Sequence, residues 1–437
     1  MKLRIISVYM VLLYLMLISA PAMGRGLSDI ERLGKVIFFD KNLSINKNQS
    51  CAVCHAPNVG WTGPDSDLNA GGSIYDGSVS NLFGNRKPPS SSYATPSPIF
   101  HAVDGTPGEF VGGNFWAGRA TGEKLGNPAA DQAQGPFLNP VEQGLPDAAC
   151  VIERVCSARY ARKFNKVWGK DSCDIEFPES IDKVCSDPDG MVDLSEEDRT
   201  KVNTAYDNIA LSIAAFEDSS RVNSFSSKFD AYLAGKVKFK KREKKGFRLF
   251  MGKGKCANCH VLDRGPGNEP PLLTDFTFDN LGVPKNIYNP WYDMTDFNPL
   301  GIAWVDLGLG GFLDTRDDYN QFASENYGKQ KVPSLRNVDK RPYFSFVKAY
   351  MHNGYFKTLK GIVNFYNTRD IKTRCKDSFT AAEADALAMG CWPAPEVSAN
   401  VNIDEMGNLS LSNKEEEAIV AFMKTLSDGY ILKRFRR

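Results

Sequence analysis

Two short stretches decide the reading of this chain: Cys51-Ala-Val-Cys-His55 and Cys256-Ala-Asn-Cys-His260. Each is C-x-x-C-H, the attachment pattern of a c-type haem. The spacing has a chemical reason. Two thiols one helical turn apart add to the two vinyl groups of one macrocycle, and the adjacent histidine then sits under the iron. A zinc site would ask for further Cys or His at ligand spacing, and the chain, with four histidines in all, does not supply them.

Working outward, the 437 residues suffice for two domains with their own cores. The net charge of +1 gives no basic field that would argue for nucleic acid. Residues 1–22 read as a secretory signal. Lys2 and Arg4 form the positive start, Ile5 to Ile18 the apolar run, and Ala20-Pro-Ala22 the cleavage site. The run is short for a membrane span. Cleavage removes Lys2 and Arg4 and takes the net charge from +1 to −1. No other stretch is long and apolar enough to cross a membrane, so the processed chain is expected in the periplasm or otherwise exported.

Ten cysteines agree with export. Four belong to the haem motifs, and an even remainder in an oxidising compartment predicts disulfides. Cys375 pairs with Cys391, which brackets one C-terminal insertion. Cys150, Cys156, Cys173 and Cys185 cluster, and their connectivity stays open.

The local signals are mainly helical. Capping boxes at Ser28–Glu31 and Ser412–Glu415 open a first and a last helix, the last running to about Leu426. Helical pattern covers Ala149–Trp168, the stretch after Ser195 with Ile209, Ile213 and Phe216 on one face, and Thr358–Tyr366. Residues 61–113 and 261–328 read as long irregular loops, the first wrapping a haem. Arg32-Leu-Gly-Lys-Val-Ile-Phe38 and Lys244-Lys-Gly-Phe-Arg-Leu-Phe250 both place Gly four residues before Phe and then lead to C-x-x-C-H. That similarity suggests a duplicated haem domain. The basic run Lys236–Arg248 reads as a solvated helix face or as a docking patch for an acidic partner.

Further motifs carry a resemblance: Phe115-Trp-Ala-Gly-Arg119, Gly135-Pro-Phe-Leu-Asn-Pro-Val-Glu142, Pro333-Ser-Leu-Arg-Asn337 and Met351-His-Asn-Gly354. In this order, with the two haem motifs, the chain resembles the bacterial di-haem cytochrome c peroxidases and their relative MauG. The resemblance covers nearly all of the processed chain. It implies a mainly α fold of two cytochrome c-like haem domains with long irregular loops. Residues 23–230 would form an N-terminal peroxidatic domain and residues 231–437 a C-terminal electron-transfer domain.

It also implies roles. His55 and His260 are proximal iron ligands. Glu142 is the acid–base group, Gln132 a hydrogen-bond donor and Pro136 a pocket wall. Trp116 bridges the two haems, and Arg119 anchors a propionate or a nearby carboxylate. Family peroxidases carry methionine fourteen residues after the histidine corresponding to His352; here that position is Tyr366, as in MauG-like members, and it is expected to ligate the second iron. Phenolate favours oxidised iron where thioether favours reduced. From spacing alone, Tyr366 and Trp116 read equally as core aromatics and Glu142 as a surface residue. His352 supports the second pocket or is a satisfied core histidine. His101 is a removable ligand of the first iron or a loop residue. The family's inter-domain calcium uses an asparagine after an arginine. Here Lys87 follows Arg86, which puts that ion in doubt.

Three functions are expected from these readings. The first is reduction of hydrogen peroxide with electrons from a small periplasmic donor protein. The second is a MauG-like oxidase that stores two oxidising equivalents across its haems and oxidises Trp or Tyr of a partner protein. The third, a di-haem electron carrier without peroxide chemistry, calls for strong ligands on both faces of both haems, and the chain offers too few histidines and no convincing methionine for that.

Overall fold

A computed structural model describes residues 26–265, 267–376 and 381–432; the expected signal segment and its cleavage site lie outside them. Eight helices frame the two haem motifs: α1 (Asp29–Phe38), α2 (Cys51–Cys54), α3 (Pro128–Leu138), α4 (Ala148–Ser157), α5 (Glu196–Asp218), α6 (Lys241–Met251), α7 (Leu359–Thr368) and α8 (Asn413–Met423). Strand is confined to two antiparallel two-residue ladders among the described residues. They pair β1 (His101–Ala102) with β2 (Phe110–Val111), and β3 (Phe278–Asp279) with β4 (Gln330–Lys331).

The helix ends follow the sequence signals. Ser28 and Ser412 close capping boxes with Glu31 and Glu415. The Ser195 hydroxyl accepts from Asp198 N at the head of α5, and the Thr358 hydroxyl from Gly361 N at the head of α7. One expectation changes. The single helical run Ala149–Trp168 is broken at Ala158, where the backbone turns extended. The break sets Tyr160 where its hydroxyl donates to Asp40 Oδ2 at 2.6 Å. Helix α3 spans Gly135 and Pro136, in a stretch for which the linear pattern named no element. Asn127 caps it, with Oδ1 accepting from Ala129 N and Ala130 N, and Pro128 opens it. Pro136 lies in its last turn, and its carbonyl accepts from Gln143 N outside the helix.

The Gly-Phe repeat has matching surroundings in both halves. A Cβ on Gly34 of α1 would lie 1.7 Å from Ser212 O of α5 and 3.0 Å from Phe216 Cβ. A Cβ on Gly246 of α6 would lie 1.8 Å from Ala418 O of α8 and 3.0 Å from Phe422 Cβ. Each glycine lets two helices cross at backbone contact. Phe38 and Phe250, one turn further on, are fully buried.

Buried apolar side chains gather accordingly. One cluster runs from Leu33 to Val222 around α1, α3, α4 and α5. Others draw on residues 229–426 around α6, α7 and α8. Three disulfides join Cys150–Cys185, Cys156–Cys173 and Cys375–Cys391. The last is the expected pair, and the other two resolve the connectivity that spacing left open. Long-range polar contacts cross from one half to the other. Arg86 donates through Nε and Nη2 to the buried Asp306 carboxylate at 2.6 Å each, and Tyr93 Oη donates to Asp428 Oδ2 at 2.8 Å.

Candidate functional site

Each C-x-x-C-H motif lines its own cavity. In α2 the His55 amide closes the turn onto Cys51 O at 2.9 Å, and His260 does the same onto Cys256 O at 2.9 Å. Both imidazoles are held through Nδ1, against Trp61 O at 3.3 Å and Leu273 O at 2.9 Å. A histidine fixed in this way offers Nε2 to a metal. Burial holds both rings neutral, His55 lowered to about 4 with Lys87 adding to the effect, and His260 lowered likewise. The four motif cysteines take part in no disulfide, and desolvation raises their thiols above the ordinary range. The first cavity measures ≈ 380 Å³ and the second ≈ 210 Å³, near the lower end of the about 300–1,000 Å³ typical of ligand pockets. Two thiols and one neutral imidazole fit a covalently attached macrocycle in each.

The first cavity gathers the expected distal groups. Gln132 and Pro136 project from α3, and Glu142 follows in the turn after it. Arg119 is on the same wall, its guanidinium 3.8 Å from the Phe115 ring centroid. It makes no ion pair among the described residues, so the nearby-carboxylate role is not what the structure displays. Desolvation raises the Glu142 carboxyl above its ordinary range, while the Arg119 charge and the Asn139 amide oppose the rise. Residues 84–94 of the long loop complete the wall, as expected of a segment that wraps a cofactor.

The second cavity is lined by Cys256, Cys259, His260 and Tyr366, together with Leu359, Ile362 and Val363 of α7. Burial pushes the Tyr366 phenol well above its ordinary range, with the Asp279 charge adding to the effect. Met351, Met406 and Met423 are also on this wall. Their thioethers were not singled out by spacing, since nothing in the linear order marks them as facing a common space.

Trp116, Lys87, Ser90 and Lys331 line both cavities. Trp116 Nε1 donates to Lys87 O at 2.8 Å, and Lys87 N donates to His352 O at 2.7 Å. The Trp116 and His352 rings meet edge to face, centroids 6.5 Å apart. His352 is buried, and its Nε2 lies 3.6 Å from Glu396 Oε2 and 4.0 Å from Asp306 Oδ2, with no hydrogen-bond partner. The Lys87 amine donates to Thr62 Oγ1 at 3.1 Å and Pro88 O at 2.8 Å. These oxygens are therefore spent on a basic nitrogen, and burial with the Lys357 charge lowers that nitrogen to about 7. The surroundings of Lys87 do not fit a calcium ion, which needs six or more oxygens and no competing cation.

His101 sits in β1, exposed, its Nδ1 against Ile99 O at 2.7 Å, and it lines neither cavity. The removable-ligand reading of His101 thus has no support in the geometry. His55 is the one histidine among the described residues on the first cavity's wall.

Comparison with known proteins agrees with this geometry. Residues 28–238 match the family model of the di-haem cytochrome c peroxidases. The methylamine utilization protein MauG of Paracoccus denitrificans is 31% identical over 398 residues, covering 91% of this chain and 88% of that protein. The chain belongs to the di-haem cytochrome c peroxidase and MauG family. The family implies two c-type haems and makes the chain an oxidoreductase of the peroxidase type. Cytochrome-c peroxidase IdrP1 of Denitromonas iodatirespirans is 24% identical, covering 94% of this chain and 84% of its own. Among solved structures, the diheme peroxidase BthA of Burkholderia thailandensis superposes with a TM-score of 0.69 at 25% identity, over 92% of this chain and 87% of that one. The helix-rich fold with few strands is thus the fold of di-haem peroxidases.

Proposed function

We propose that the chain is an exported, periplasmic di-haem peroxidase. It reduces hydrogen peroxide in the first cavity with electrons relayed through the second from a small donor protein. Residues 23–230 and 231–437 are the two haem domains of this reading. The observation that carries it is the convergence of Gln132, Pro136 and Glu142 on the cavity that also holds Cys51, Cys54 and His55.

A haem bound there supplies the iron at which the O–O bond breaks. Everything else falls to the chain. Glu142 takes a proton from one peroxide oxygen and returns it to the departing one, so two electrons and two further protons turn one peroxide into two waters. Its carboxyl, raised by burial, is better matched to both transfers than a solvated one. The Gln132 amide donates to the charge that develops on the leaving oxygen. Arg119 offers a planar fork to a propionate. Pro136, without an N–H, keeps that wall apolar. Trp116 stands in the shared wall, where its π system shortens the path between sites. His55 and His260 would each supply an imidazole ligand to the iron of their own cavity, and Tyr366 would offer its phenol oxygen to the second.

A MauG-like oxidase, withdrawing electrons from a partner's Trp or Tyr, is the second reading. Two observations favour it: Tyr366 on the second wall, and no histidine besides His55 on the first among the described residues. No helix among the described residues is long and apolar enough to cross a membrane.

The test is one equivalent of hydrogen peroxide added to the fully oxidised two-haem protein, followed by optical and EPR spectroscopy. Loss of both ferric signals together supports the oxidase mode and the search for a protein substrate. Reactivity only after one haem is pre-reduced supports the conventional peroxidase and removes the Tyr366 assignment. Inertness in both states defeats both readings and leaves the electron carrier.

A further inference from the structure

Between Lys236 and Lys255 the chain carries ten basic residues and one acid, Glu243. That is a net charge of +9 within twenty residues, and −8 for the remainder of a chain whose total is +1. All ten basic side chains are exposed. Glu243 is taken by Lys228 at 2.5 Å. Arg242 pairs with Glu417 at 2.6 Å, and Lys253 with Glu415 at 3.0 Å. Lys236, Lys238, Lys241, Lys244 and Arg248 form no ion pair among the described residues.

The fold itself provides a control. Helix α1 meets α5 through Gly34 as α6 meets α8 through Gly246, yet the charges of α1 cancel: Asp29 and Glu31 against Arg32 and Lys35. Helix α6, in the same packing role, carries five basic residues against one acid. The crossing therefore does not require the charge. Helix stability does not require it either, since Lys241 and Arg242 stand in the first turn, where the macrodipole disfavours cations. Solubility would be served by mixed signs.

The face also leads to the second cavity. From α6 the chain passes through Met251, 46% exposed, to Lys255 and Cys256. Phe250, Gly254, Lys255 and Cys256 line that cavity, so an exposed lysine stands on its wall. A positive surface beside an exposed thioether, next to a cofactor cavity, has the form of an encounter site: charge steers approach, and a small apolar contact lets the partners close.

We propose that the α6 face, Lys236–Lys255, docks a partner protein through an acidic surface and so sets where electrons pass between that partner and the second cavity. This rests on reading the second cavity as the electron-transfer site.

The probe is a gold electrode carrying a carboxylate-terminated monolayer, compared with an ammonium-terminated one. Adsorbed mass and interfacial electron exchange are both recorded for the holoprotein. Wild type should adsorb to the carboxylate layer and exchange electrons there at low salt. Both should fade as the Debye length falls to about 3 Å near 1 M salt. K241E/K244E/R248E should lose at least tenfold in both readouts, while K41E/R162E/K170E, reversing three exposed charges in the other half, should not. Small neutral mediators should still titrate both haems of each variant, which separates lost docking from a damaged centre. Equal loss in both variants, or none in the α6 variant, overturns the proposal. Adsorption that depends on α6 but carries no current keeps the docking face and refutes the electron-transfer reading of the second cavity. Tighter α6-dependent binding to phosphatidylglycerol vesicles than to the carboxylate layer would replace the protein partner with a membrane surface.

Discussion

Replacing Gly34 or Gly246 with alanine should damage the two halves separately, and the structure gives the size of the effect. The added Cβ would stand 1.7 Å from Ser212 O in one case and 1.8 Å from Ala418 O in the other. Ordinary contact begins near 3.4 Å, so each helix pair must part by about 1.6 Å. A backbone carbonyl cannot rotate away as a side chain can. Overpacking of this kind costs about 1–3 kcal/mol, and a gap of even 1 Å elsewhere along the crossing forfeits up to half of each dispersion contact. Alanine returns about 1 kcal/mol of helix propensity. With no flexible side chain to give way, both variants fall at the upper end of that range, so about 2 kcal/mol net is lost per variant, or roughly 4–8 °C in Tm if each half melts as a unit of about 200 residues. Gly135 in α3 is the control, because its Cβ would meet only Phe115 Cζ, at 3.7 Å. G135A should be neutral or slightly stabilising. The assay is thermal unfolding followed by far-UV circular dichroism and by haem absorbance. G34A should disturb the haem next to Phe38, and G246A the one next to Phe250, since those side chains line the first and second cavities. If G34A and G246A melt with wild type, or G135A falls as far as they do, the backbone-contact argument is wrong.

Three further outcomes are expected. E142Q should retain both haem spectra and lose about 10²–10⁴-fold in peroxide turnover; wild-type turnover should fall on acidification at a pH above the usual carboxyl range, because desolvation raises that group. Glu217, buried beside the first cavity, is raised to about 8 from 4.5 by desolvation. The fold binds its proton more tightly than the unfolded chain does, so this group's contribution declines as pH rises from about 4.5 to 8, and E217Q should flatten that loss in denaturant titrations at pH 5 and pH 8. A calcium chelator should leave the spectra, turnover and Tm of the holoprotein unchanged, with no stoichiometric calcium by elemental analysis. A chelator-induced drop in any of the three would refute the reading of Lys87.

Much of the chemistry was legible in the linear chain because it is local. Two thiols and an imidazole within five residues define a haem attachment regardless of what surrounds them. Capping boxes at Ser28 and Ser412 need only the next three residues, and the Gly-Phe repeat needs only one helical turn. The distal groups were legible only through family motifs. Glu142 follows Cys51 by ninety-one residues, and no local pattern states that the two share a cavity.

What the tertiary structure decided depends on contacts between segments remote in sequence. The pairing of Cys150 with Cys185 and Cys156 with Cys173 follows from where α4 lies against its neighbours. The helix Pro128–Leu138 forms because Asn127 caps it and its alanines bury against α5, which outweighs the penalty that Gly135 and Pro136 suggest. His101, Lys87, Met351 and Met406 have no periodicity that betrays their facing. Their environments are set by long loops, and a loop's course is fixed by what it closes against and not by its own propensities. The sequence alone determined which cofactor the chain binds, since that bond is made by adjacent residues. Which side chains share each cavity was left to the packing, since proximity across a hundred residues is a property of the fold.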